Sequence, residues 1–590
     1  MHARTLCSLW ILAAACGDDG GRETASDSSP TTQTTPTGPL TMTMTATMTG
    51  SASESATDVG PTGSASQAMT SEPTSGPTSG PTSDPTSGPM SGPLDTGVDE
   101  TTGTKFDVSG GETATTEPSE TTGPPVDVCK VNDNMDAIGE CDKEAAPDSF
   151  EAEVQWAWAG ANGEIYSVAT PLVANLTDDN GDGAIDLCDV PDIVVVASAS
   201  VPGPGHIYVL DGATGTLHFQ IATVLDSTCT PALGDIDGDG LPEIVSVTPV
   251  GNLVAFEHDG ALKWTSPTSW PGGYISSLAL ADLDNDTDVE IIGSDRVFDH
   301  LGGLVFAAPQ GAPMYAATAA ADLDGDGDLE VVIGHAAVHH DGTVFYYNQA
   351  VTPGFPQIAN LDGDPQPEVL ITSPSGITLL EHDGTIKYQN LRPTGDPQGG
   401  LTWHRPATVQ DFDGDDISDF AVSSANNYAT YHADATILWK AVVSDQSGIA
   451  AGTAFDFLGD GIAEAMYADE MNMFVYGDGG QVLLSTPRTS LTGIEYPIVA
   501  DVDNDGSAEI VVVSNLYGNQ NSPPVQVIRD KEDRWIQARR IWNQHTYHVT
   551  NVREDGTIPQ FEPPSWMSLN TFRTNAQIEG GGLCEPPIPQ

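Results

Sequence analysis

The sequence predicts an all-β chain: a β-propeller of eight blades behind a disordered N-terminal stalk, with seven blades the alternative if an irregular first unit only closes the ring. Three observations predict it. A short acidic formula recurs eight times between residues 175 and 511. Its copies are nearly evenly spaced. Each of several copies is followed by a second turn signal, so a unit supplies four short strands.

Seven copies run without a gap, from DIDGDGLPEIV at 235–245 to DVDNDGSAEIV at 501–511. Positions 1, 3, 5 and 9 put oxygen-bearing side chains on one side of a tight turn, position 7 can add a backbone carbonyl, and position 6 is usually Gly. Hard oxygen ligands in that number suit Ca²⁺, whereas Mg²⁺ demands stricter octahedral geometry and zinc calls for Cys or His. The propeller is therefore expected to be calcium-braced. Three sets are complete: Asp235, Asp237, Asp239 and Glu243; Asp322, Asp324, Asp326 and Glu330; Asp501, Asp503, Asp505 and Glu509. Asp282, Asp284, Asp286 and Glu290 are complete but carry Thr287 at position 6, and Asp411, Asp413, Asp415 and Asp419 carry Asp416 there, which tolerates a left-handed backbone better. Asn360, Asp362, Asp364 and Glu368 surround Pro365, which cannot adopt positive φ, so distortion is expected. Leu458 replaces the third ligand between Asp456 and Asp460, leaving Glu464 at position 9 and a loop expected to survive as structure without tight binding. The first copy is longer. Asp178, Asn180, Asp182 and Asp186 fit the register internally and are preferred, with Asn175 and Asp192, which align better with the flanking strands, as the alternative.

First positions at 235, 282, 322, 360, 411, 456 and 501 are 47, 40, 38, 51, 45 and 45 residues apart, the period of propeller blades or solenoid arrays. Each loop is entered by a small-residue and apolar stretch such as YPIVA at 496–500 and left by a β-rich run such as EIVVVS at 509–514, which excludes helical solenoids. Farther on comes Asp-Gly flanked by strand formers, as in LVAFEHDGALKW at 253–264, VHHDGTVFYY at 338–347 and LLEHDGTIKY at 379–388. Asp-Gly is the preferred two-residue hairpin turn. Two strands around the acidic loop and two around this turn describe a propeller blade. The loops resemble the FG-GAP/VCBS repeats of the integrin alpha-chain propeller and its bacterial relatives, over about residues 150–530. The resemblance implies a calcium-braced propeller head used for adhesion or ligand binding. It names no ligand, because fold and function are separable.

A net charge of -65, from 84 acidic and 19 basic residues, excludes nucleic acid as a partner, since no basic stripe is available to neutralise phosphates. Carboxylates crowded into one loop repel unless a cation sits among them, so much of this acidity reads as ligand. At the N-terminus MHARTLCSLWILAAAC has the form of a secretory signal over 1–15, and its small residues before Cys16 resemble a lipobox, with Cys16 as the lipidated anchor. Leu12 stands four residues before the cysteine, where the family places Leu three before. Residues 16–128 are rich in Thr, Ser, Pro and Gly and cannot bury enough apolar surface to offset ordering, so they read as a tether. The protein is expected to be exported and held at the outer membrane or cell surface by its lipid alone, with plain secretion the alternative. Five cysteines remain for an oxidising compartment, after a short Cys-containing lead-in at 129–149: Cys129 with Cys141, and Cys188 with Cys229, are the preferred pairs, leaving Cys584 over.

After a propeller assigned to 150–533, the segment 534–590 breaks the pattern. It gathers Arg534, Arg539, Arg540, Arg553 and Arg573 with Trp535, Trp542, Tyr547, Trp566 and Phe572, and holds His545 and His548. Three readings compete: a surface for an acidic or glycan ligand, an acid/base or metal site on the histidines, and a segment that completes the last blade and packs on the acidic propeller. No GxSxG, HExxH or phosphate loop occurs. The expected function is a non-enzymatic, surface-anchored lipoprotein for adhesion to an extracellular protein or glycan. The alternative is a calcium-dependent polysaccharide lyase or other glycan-degrading enzyme.

Overall fold

The computed structural model describes residues 129–131, 135, 139–141, 143–311, 315–580 and 582–585; the expected signal, Cys16 and the stalk lie outside the described residues. From Ala152 to Asp530 the chain builds eight blades, each of four antiparallel strands, and the first carries one further short strand, Leu225–Asp226. Strand formation follows local sequence. Second strands such as Glu243–Val247 and Glu509–Val513 are mostly apolar after their first residue and buried throughout, whereas fourth strands such as Leu262–Ser269 hold exposed residues at the rim. In blades 1 to 7 strand order within the sheet follows chain order. Blade 8 differs: its outer strand is Ala152–Trp158, from the start of the head, with Val154 opposite Ile528 and Trp158 opposite Val525. The ring is closed by its N-terminal strand, and the C-terminal segment does not complete the last blade.

Neighbouring blades are joined by one recurring contact. A glycine in the turn between the third and fourth strands of a blade receives an aromatic ring from the outer strand of the blade before it. A Cβ added at Gly260 would lie 2.8 Å from Phe219, at Gly302 2.7 Å from Trp264, at Gly342 2.8 Å from Phe306 and at Gly384 2.6 Å from Tyr346. At the closure, Gly215 of blade 1 would meet Trp156 of blade 8 at 2.4 Å. These glycines serve the positive φ of the turn and leave room for a ring as well.

Innermost strands of a propeller are sheet edges with unpaired backbone groups. Here the C-terminal segment pairs with them around the whole ring. Trp542 exchanges two backbone hydrogen bonds of 2.9 Å with Val173 in blade 1, and Leu233 in blade 2 donates to the Asn543 carbonyl at 2.8 Å. In blades 3 and 4, Leu280 donates to Gln544 Oε1 at 2.8 Å and Thr546 to the Thr318 carbonyl at 3.2 Å. Asn570 then bonds both backbone groups of Asn360 in blade 5, and Phe572 pairs with Val409 in blade 6. Thr453 of blade 7 donates to the Arg573 carbonyl at 2.6 Å, and Asn575 to the Val499 carbonyl of blade 8 at 2.9 Å. The small inner strands Ala279–Ala281 and Ala319–Ala321 leave space for this axial segment.

Both predicted disulfides are corrected. Cys129 pairs with Cys188 and Cys141 with Cys584, at Cα separations of 4.8 and 5.3 Å, while Cys229 is buried and free. Sequence proximity favoured the other pairing, but a closed ring brings the lead-in beside the C-terminal end. Cys188 sits in the loop between the first two strands of blade 1, whereas Cys229 lies on the crossover into blade 2, at the opposite end of the strands.

Candidate metal-binding loops

All eight acidic loops join the first strand of a blade to its second and so share one face of the ring. Their backbone is fixed by two carboxylates. The position 1 side chain accepts amides from positions 4 to 6: Asp235 takes those of Gly238 at 2.7 Å, Asp239 at 3.2 Å and Gly240 at 2.9 Å. Asp322, Asp411 and Asp456 repeat the scheme. Position 9 clamps the base of the loop. One oxygen of Glu243, Glu290, Glu330, Glu368, Glu464 and Glu509 accepts the position 2 amide at 2.7–3.0 Å. Asp419 is one methylene shorter, and its bond from Phe412 stretches to 3.4 Å.

Position 6 takes positive φ at Gly240, Thr287, Gly327, Asp416, Gly461 and Gly506. The loop with Pro365 does so only at position 4, Gly363. Proline also lacks the amide that Asp would accept there, and position 1 is correspondingly Asn360, whose amide donates to the Asp364 carbonyl instead. The loop around Leu458 keeps every backbone bond and is covered by the lead-in, Ala145 donating to the Leu458 carbonyl at 2.7 Å.

The long first loop contains both registers that the sequence offered. Asp178 accepts the amides of Gly181, Asp182 and Gly183 as an internal position 1, with Asn180 and Asp182 following it. Asn175 and Asp192 hold the blade's own register: Asp192 opens the second strand and accepts the Leu176 amide at 2.9 Å. The clamp of the internal loop is Asp189, missed by sequence reasoning, which accepts the Asp179 amide at 3.0 Å; Asp186 accepts the Cys188 amide.

With these bonds made, the remaining carboxylate oxygens converge. Asp235, Asp237 and Asp239 are close enough to hold one metal ion, as are Asp324, Glu330 and His339, and Asp413, Asp419 and His432. Asp413 Oδ1, Asp503 Oδ1 and Glu509 Oε1 are buried with no hydrogen-bond partner. A buried carboxylate oxygen without a partner is costly, and a hard cation would satisfy it. Burial pushes Glu290 up to about 8 and Glu330, Asp456 and Asp501 to about 7, with neighbouring carboxylates adding to the rise. The loops hold more carboxylate than they can charge unaided near neutral pH.

Two loops bring their own cation. Lys263, on the fourth strand of blade 2, sets its ammonium against Asp237 and at 3.1 Å from Glu243 Oε1 and 3.0 Å from Glu257 Oε2. Lys387 of blade 5 does the same with Asp362, with Glu368 at 3.0 Å and with Glu381 at 3.3 Å. In blades 1, 4 and 6 the neighbour is a histidine: His218 at 3.4 Å from Asp192, His339 at 2.8 Å from Glu330 and His432 at 3.2 Å from Asp419.

Most of the basic and aromatic side chains of the C-terminal segment are not on a surface, although Arg534, Arg553 and Trp566 are half-buried and Phe561 is exposed. Trp535, Trp542, Arg539, Arg540, Arg573, His545 and His548 are all buried. Arg539 donates to the carbonyls of Val549 and Val552, Arg540 to Glu554 and the Leu187 carbonyl, and Arg573 to the Ala407 carbonyl. Burial holds His545 well below its ordinary value and therefore neutral. These residues pack the axis, which removes them as a ligand-binding or acid/base surface.

A family model for FG-GAP-like repeats matches residues 235–293, the second acidic loop through the first strands of blade 3. The chain is thus an eight-bladed β-propeller that carries an FG-GAP-like repeat. No curated protein matches it in sequence. Among solved structures it is similar to the V. cholerae biofilm matrix protein Bap1, at 23% identity and a TM-score of 0.63 over 74% of this chain and 100% of that one. It is also similar to the exotype rhamnogalacturonan lyase YesX, at 16% identity and a TM-score of 0.45 over 72% of this chain and 80% of that one. The Bacillus licheniformis rhamnogalacturonan lyase PL11 gives 17% identity and a TM-score of 0.44 over 76% and 82%. Among the described residues no helix is long and apolar enough to cross a membrane.

Proposed function

We propose that this FG-GAP-type propeller is a calcium-braced, surface-anchored binding protein that holds an extracellular glycan and does not turn it over. The observation that carries the calcium reading is the set of buried, unpartnered oxygens at Asp413, Asp503 and Glu509, repeated in register on one face. Calcium supplies the charge that those oxygens lack, and the loop backbone is already shaped to present them. Cys16 would supply the anchor and residues 16–128 the tether. A protein of the same fold is a biofilm matrix protein, which supports an extracellular setting for this one.

The glycan-facing surface in this reading lies opposite the calcium loops. There Tyr274, 48% exposed on the crossover into blade 3, stands 6.4 Å from Tyr315, which rests at 6.1 Å on the buried His404. Aromatic faces at that spacing suit sugar rings. The test exposes the purified full chain to glycan and protein arrays, in calcium and in chelator. Retention of glycans in calcium, weakened about tenfold by Tyr274→Ala, is expected. Retention of proteins alone would move the ligand class. Unsaturated or newly reducing ends released from an acidic polysaccharide would replace binding with the lyase alternative.

A further inference from the structure

We propose that Lys263 and Lys387 are built-in substitutes for the divalent cation, so that the loops of blades 2 and 5 close without metal while other loops depend on it. The inference rests on the calcium reading of the loops and divides them into two kinds.

Strand register identifies the equivalent position in blades 2 to 7. Leu262 pairs with Phe256, Leu304 with Phe298, Val344 with Val338, Ile386 with Leu380, Ile437 with Tyr431 and Val482 with Tyr476. The next residue points toward the acidic loop in blades 2 and 5, where it is Lys263 or Lys387. In blades 3, 4, 6 and 7 the same position is Val305, Phe345, Leu438 and Leu483. The third strand changes with it. The residue after the paired one on that side is Glu257 or Glu381 where the lysine is present, giving the ammonium a third carboxylate, and Asp299, His339, His432 or Gly477 where it is not.

The ammonium takes oxygens that the ion would need. Position 3 and position 9 each bond it, through Asp237 and Glu243 in blade 2 and through Asp362 and Glu368 in blade 5. The side chains of Glu243 and Glu368 are 1% and 0% exposed, and those of the lysines 15% and 21%, so the pairs are mostly shielded. A dication bonded to the same oxygens at about 2.4 Å would lie on the order of 4–5 Å from the ammonium, where like charges repel. A lysine ammonium is a compact point charge with three donors, and each of these has three acidic side chains to meet.

The experiment counts bound calcium on the purified full chain by calorimetric titration after chelation, alongside thermal melts. Lys263→Met and Lys387→Met keep the stem and remove the charge. Each is expected to add about one Ca²⁺ per chain, the double variant about two, and both should melt lower than wild type in chelator. The reciprocal change, Val305→Lys, acts at a site 52% exposed and so well placed to tolerate a longer side chain. It should remove about one ion by filling the loop of Asp284 and Glu290. Wild-type binding with counts unchanged in all four variants overturns the substitution and leaves the calcium reading standing. An absence of binding in wild type and variants alike overturns both.

Discussion

The acidic loops and the axial segment are both irregular backbone held inside a β-ring, and they satisfy it with opposite chemistry. In the loops the exposed backbone groups are amides, and Asp235, Asp322 or Asp411 accept two or three of them each. Around the axial segment the groups in need are carbonyls, and Arg539 donates to Val549 of the segment itself while Arg540 and Arg573 donate to Leu187 and Ala407 of the ring. Each solution leaves a charge behind. The loops keep surplus carboxylate that calls for a cation, whereas Arg540 finds Glu554 at 2.8 Å and needs nothing from outside. A rim with surplus carboxylate therefore surrounds a centre of buried arginines, and the two should respond differently to mutation, pH and chelation.

The largest effect is expected in the centre. Trp542 is fully buried, stacks on Tyr547 at 4.4 Å and pairs its backbone with Val173. Trp542→Ala should cost about 3–5 kcal/mol, equally in calcium and in chelator, read by denaturant unfolding. A loss under about 1 kcal/mol would mean that the segment merely rests on the ring.

The ring was legible in the sequence because a repeat reports the same geometry many times: Asp at position 1, Glu at position 9 and Asp-Gly farther on recur in register, and strand count and blade count follow. The axial segment occurs once. Its Trp and Arg content announced an unusual role, but burial around an axis leaves no period to read, and single-copy composition suits a binding surface equally well. The first loop was obscured by its insertion, which separated Asp189 from any expected spacing. The two lysines did leave a trace, HDGALKW at 258–264 and HDGTIKY at 382–388, two basic residues at the same offset from the turn in a chain with 19. Their role was hidden because the offset gains meaning only once the fourth strand lies beside the loop. Disulfide pairing was not legible, since it depends on where the two ends of a closed ring meet.

A smaller effect, confined to the rim, is a pH response that calcium flattens. Burial raises Glu290 from 4.5 to about 8 and Asp501 from 3.8 to about 7, so the folded chain binds more protons than the unfolded chain between about pH 4 and 8. For an acid shifted upward, stability is present below the unfolded value and is lost as pH rises toward the folded one. In chelator the melting temperature should therefore fall between pH 5 and 8. In millimolar calcium the ion replaces those protons, and the fall should flatten. Parallel decline in both conditions would break the contrast between rim and centre.

The smallest and most specific effect compares two loops at matched positions. Asp326 and Asp460 both occupy position 5, and each accepts the amide two residues on, at 3.0 and 3.1 Å. Replacing either with Ala removes the same hydrogen bond. Only the loop of Asp326 has its third-position ligand, Asp324, because Leu458 stands there in the other. An extracellular site with a dissociation constant of about 10⁻⁴ to 10⁻³ M contributes roughly 0.4 to 1.4 kcal/mol at about 1 mM calcium. Asp326→Ala should lose that increment in calcium and not in chelator, while Asp460→Ala should show one value under both conditions. Subtracting the two variants cancels the shared amide bond and leaves the ion. Equal calcium dependence in both would mean that Leu458 does not disable its loop, and that the backbone scaffold alone, intact in each, decides where the cation goes.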